Sequence, residues 1–164
     1  MQINFPDQAR LWIYAADRPL SDKESEQISQ KIKQFAQSWQ SHGTPMVADA
    51  FVLHNQFVLL IADETHVATG GCSMDASVHF IKEIGALHGV DFFNRMLFHS
   101  YQNGKVITYD KETLDEAYRS DDINEETLFF NPLVKTYGDY KREWMVPLGK
   151  SWVKRFIPQA SISQ

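Results

Sequence analysis

Cys72 is the only cysteine in the chain, and it closes the run Thr69-Gly70-Gly71-Cys72-Ser73. Paired glycines allow a tight turn and let a ligand approach the backbone closely. The run follows an apolar stretch that reads as a core strand, and it opens a helical pattern. The amino end of a helix carries unpaired N–H groups and partial positive charge, so it attracts anions and lowers a thiol's pKa. Cys72 is then a nucleophile or a redox-sensitive thiol, with His66 or His79 as its base. Gly70, Gly71 and Ser73 would contact the ligand. A plainer reading competes and carries more weight from sequence alone. The glycines are turn residues, Ser73 is an N-cap, and cysteine is among the most buried residue types. Asp75, read as lying in the first turn, would favour the helix dipole but oppose a thiolate.

The remaining chemistry-bearing residues are dispersed. The six histidines (42, 54, 66, 79, 88 and 99) show no His-Glu-x-x-His spacing, so no metal or other cofactor is expected. His42 and His88 read as polar last-turn residues of helices, and no Gly-x-Ser-x-Gly elbow exists. The aromatics Trp12, Tyr14, Phe51, Phe57, Phe98 and Tyr101 could stack on bases. The net charge of -5 argues against that, since nucleic-acid phosphates require a basic face.

Positioning such a site requires a folded body, and 164 residues suffice for one domain that buries roughly 70% of its unfolded surface. Residues 10–15 suit a strand. Ser21-Asp22-Lys23-Glu24 fits a capping box, and Ile28, Ile32, Phe35, Ala36 and Trp39 recur on one helical face until His42-Gly43. Residues 46–53 and 57–62 read as a hairpin. A second helix is expected from near Ser73 to His88-Gly89, with Val78, Ile81, Ile84 and Leu87 inward. Residues 96–101 and 105–109 flank Asn103-Gly104, the strongest short hairpin signal. The order strand, helix, strand, strand, helix, strand predicts an α+β fold of the ferredoxin-like split βαβ kind, with an antiparallel sheet and both helices on one face. The core is expected at about residues 8–109 of a single domain spanning 1–164. An irregular extension follows from about 110, with a helix capped by Asp110 and an acidic stretch, Asp121 to Glu126, read as a solvated turn.

The segments Leu11-Trp12-Ile13-Tyr14, Arg18-Pro19-Leu20-Ser21 and Gly71-Cys72-Ser73-Met74-Asp75-Ala76-Ser77-Val78 resemble a family of small uncharacterised bacterial proteins. Members often carry the automatic label "ABC transporter ATPase". The resemblance covers most of the chain and implies no functional residues. The label itself fails on the residues. A P-loop needs two glycines five apart, then lysine and Ser/Thr. Gly104-Lys105 is followed by Val106. Gly149-Lys150-Ser151 has the right ending, but Trp144 holds the first glycine position and Pro147 removes a backbone donor.

The sequence therefore predicts a cytoplasmic-type soluble protein that acts by binding, with no membrane or nucleic-acid partner. It would bind a second copy or another protein through an open sheet face, or a small anionic ligand at the Gly70-Gly71 turn. The alternative is a thiol-dependent enzyme or redox sensor at Cys72.

Overall fold

The computed structural model describes residues 3–157. It is an α+β structure with antiparallel sheets, and the chain divides into two compact units. One comprises the chain up to Phe93 together with Pro132–Lys141, and the other Asn94–Asn131 and the chain from Arg142 onward. The expected core ending near residue 109 is thus divided at Phe93.

In the first unit, strand β1 (Arg10–Ala15) leads to helix α1 (Asp22–Ser38). The Glu24 amide donates to the Ser21 hydroxyl at 3.1 Å, and the Ser21 amide donates to the Glu24 carboxylate at 3.0 Å. Two of the helix's orphan donors are satisfied in this way. The helix ends at Ser38, with Trp39 as C-cap, ahead of the expected stop. His42 (φ 54°) and Gly43 (φ 77°) instead turn the chain between the two-residue strands β2 (Gln40–Ser41) and β3 (Thr44–Pro45). Strands β4 (Val47–Leu53) and β5 (Phe57–Asp63) form the expected hairpin, and helix α2 (Gly71–His88) stops at Gly89, whose φ is 64°.

The sheet order is β1–β5–β4, antiparallel throughout. Val58, Leu60 and Ala62 of β5 share one core with Ile28, Ile32 and Ala36 of α1 and Ile81 and Ile84 of α2. Both helices therefore cover the same sheet face. Much of the opposite face is buried as well. Leu11, Phe57, Leu59 and Ile61 are at most 2% exposed, and Phe51 and Leu53 are also buried. The edge strand β4 is clasped by Lys33, whose ammonium meets the Asp49 carboxylate at 3.1 Å and the Ala50 carbonyl at 2.7 Å.

The strand that follows α2 does not join this sheet. The outer edge of β1 is met instead by residues 135–137: Leu11 N–H donates to the Lys135 carbonyl at 3.0 Å, and Tyr137 N–H donates to that of Ala9 at 2.9 Å. The single four-stranded ferredoxin-like sheet is therefore not formed.

The second unit holds β6 (Phe98–Gln102) and β7 (Lys105–Tyr109), joined at Asn103-Gly104, followed by α3 (Lys111–Arg119) and β8 (Leu128–Phe130). Helix α4 (Tyr137–Glu143) precedes β9 (Met145–Pro147), and two 3-10 turns, Leu148–Lys150 and Trp152–Phe156, follow. Its sheet runs β7–β6–β8–β9. Phe98, Leu114, Ile123, Phe129, Leu148 and Val153 form its core. The acidic stretch is more than a solvated turn. Glu125 accepts from the Tyr118 hydroxyl at 2.9 Å and pairs with Lys154 at 3.3 Å. Among the described residues no helix is long and apolar enough to cross a membrane.

Candidate functional site

The amino end of α2 is anchored by the residues that follow α1. Gly70 is the N-cap in extended conformation, and no side chain caps the helix. Ser41 fixes the approach: its hydroxyl donates to the Ala68 carbonyl at 2.7 Å and accepts the Gly70 N–H at 3.2 Å. The Thr69 N–H donates to the Glu64 carboxylate at 2.7 Å, and Arg10 lies 3.6 Å from the same oxygen. Inside, the Trp39 indole N–H donates to the Ser73 carbonyl at 2.9 Å. A rigid frame of local contacts thus holds an uncapped helix start.

The sequence-predicted residues fall into distinct places on this frame. Cys72 is exposed, so the buried-packing reading of it does not hold. Gly71 borders open space: a β-carbon built on it meets nothing within 4 Å. Gly70 is crowded, since a β-carbon there would lie 2.9 Å from His42 Nε2. Ser73 is buried at 6% exposure, and its hydroxyl donates to the Gln40 carbonyl at 2.8 Å. It does not cap the helix. The helix begins at Gly71, so Asp75 lies outside the first turn, which holds no acidic residue. The objection that a first-turn carboxylate opposes the thiolate is thereby weakened.

The histidines are arranged differently from the expectation. His79 is exposed and sits 3.1 Å from Glu83, one helical turn on. His66 is exposed too, beside Asp63, whose carboxyl is held below the usual range chiefly by the Thr65 hydroxyl and amide, with His66 a smaller influence. No hydrogen bond joins Cys72 to either among the described residues. The histidine that does border the turn is His42, placed against Gly70 by the β2–β3 hairpin. Sequence reasoning treated His42-Gly43 as a helix stop and missed it. No local signal separated the two readings, because a proline two residues past the glycine also fits a helix exit.

Elsewhere, Gly149-Lys150-Ser151 lies in short 3-10 turns, where the Ser151 hydroxyl accepts the Val153 N–H at 3.1 Å. That hydroxyl is engaged as a cap. No group of three His, Cys, Asp or Glu side chains among the described residues is placed to hold a metal ion. A shallow groove on α3, lined by Lys111, Glu112, Asp115, Glu116, Arg119 and Phe156, contains none of the candidate residues. Comparison with family models, curated proteins and solved structures gives no match to this chain. Function has to be read from the chemistry of the turn itself.

Proposed function

We propose that this chain works by binding a small anionic ligand at the amino end of α2, and that it belongs with the bacterial proteins its segment 71–78 resembles. Nucleotide hydrolysis is no part of this reading, because the sequence lacks the residues of a P-loop. The observation that carries it is the open, uncapped helix start at Gly70-Gly71, backed by the Ser41 and Trp39 contacts that hold it in place. The unpaired backbone N–H groups of a helix start attract an anion, and a start already held by neighbouring contacts binds one with little ordering cost.

The test is a titration of the folded protein with inorganic phosphate and sulfate, read by the backbone amide shifts of residues 70–73 and by Trp fluorescence. Trp39 reports because its indole is bonded to the first turn of α2. Gly71→Ala adds a methyl where open space now lies and should weaken binding while leaving the fold intact. Saturable shifts at residues 70–73, lost in that variant, support the proposal. Shifts absent at millimolar anion, or unchanged by Gly71→Ala, defeat it.

The exposure of Cys72 supports a second reading, a thiol-dependent enzyme or redox sensor in a reducing cytoplasm. Here His42, which borders Gly70, joins His66 and His79 as a proposed base. Its check is the rate of Cys72 alkylation against pH in wild type and His42→Gln. A pH midpoint well below about 8.5 that rises in the variant supports the pairing, whereas an unperturbed, unaltered midpoint removes it.

A further inference from the structure

We draw no further inference here: the strongest candidate, the half-exposed row of Val106, Tyr101, Leu128 and Pro147 across the second unit's sheet, carries nothing because nothing in the structure shows what covers it.

Discussion

Gly71 and Gly85 lie on the same helix, yet they answer opposite demands. A β-carbon on Gly85 would sit 2.5 Å from the Val90 carbonyl oxygen and 3.4 Å from the Phe92 ring. Backbone cannot yield as a side-chain tip can, so Gly85→Ala should destabilise by about 1–3 kcal/mol, the usual cost of overpacking a core. Gly71→Ala meets open space and adds helix propensity, so its unfolding midpoint in urea should match or slightly exceed wild type. Paired urea melts check both, and equal losses in the two variants would contradict the placement of the helix. Cys72 makes a third residue-level claim. Its exposure requires that a thiol reagent label the native protein, at a rate within about tenfold of the urea-unfolded chain on the scale that free thiolate sets. Labelling that waits for unfolding would return Cys72 to the core.

Arg18 joins one element to another. Its guanidinium donates to both oxygens of Glu24, at 2.9 and 2.8 Å, and to the His88 carbonyl at 2.7 Å, so the first turn of α1 is tied to the last residue of α2. The Arg18 hydrogen bonds, helped by the Ser21 amide, hold the Glu24 carboxyl down at about 2. A carboxyl depressed in the folded state contributes stability that is complete above its unfolded value of about 4.3 and fades as pH falls toward about 2. Urea unfolding of wild type and Glu24→Gln should therefore differ most at pH 6, with the gap narrowing steadily from pH 4.5 to 3. A gap that stays constant across that range would mean that the clasp is screened away in solution.

This clasp also marks what could be read in advance. The capping box, the Ile28–Ile32–Ala36 face and the Asn103-Gly104 hairpin depend on neighbours within a few residues, and the sequence displays those neighbours directly. The Arg18–His88 contact and the Ser73–Gln40 bond depend on which elements meet, and no local pattern specifies that. Strand β6 has the composition of a sheet strand whichever sheet it enters. His42-Gly43 failed for a related reason: a helix stop and a tight hairpin turn both need positive φ, so one dipeptide fits either. Cys72 was legible as the chemical focus of the turn, but its exposure was not, because that depends on what packs beside α2.

Acid sensitivity belongs to the molecule as a whole, because protons taken up on unfolding act on the total free energy. Glu24 acts only below about pH 4.5, so a loss of stability nearer neutrality calls for a group that titrates there, as a histidine does. His99, in β6, is 3% exposed, its Nδ1 is 2.9 Å from the Thr108 hydroxyl, and burial pushes its pKa down to about 4. His54, an exposed residue, is displaced in the same direction by partial desolvation of its ring. In the native state His99 stays neutral down to about pH 4, whereas in the unfolded chain it takes up a proton below about 6.5. The unfolded state thus binds more protons between those two values, and stability must rise with pH across the window. A displacement of this size corresponds to up to about 3 kcal/mol lost between pH 6.5 and 4, a large part of the 5–15 kcal/mol typical of a domain. Urea melts should therefore show stability already declining from pH 6.5, above the range where Glu24 acts. His99→Gln, which cannot titrate, should flatten that upper limb even though the substitution lowers stability at pH 7. NMR of the folded protein supplies an independent reading: the His99 ring should keep its neutral shifts at pH 5. An upper limb that persists unchanged in His99→Gln would assign it to His54 instead, and that assignment is checked by His54→Gln.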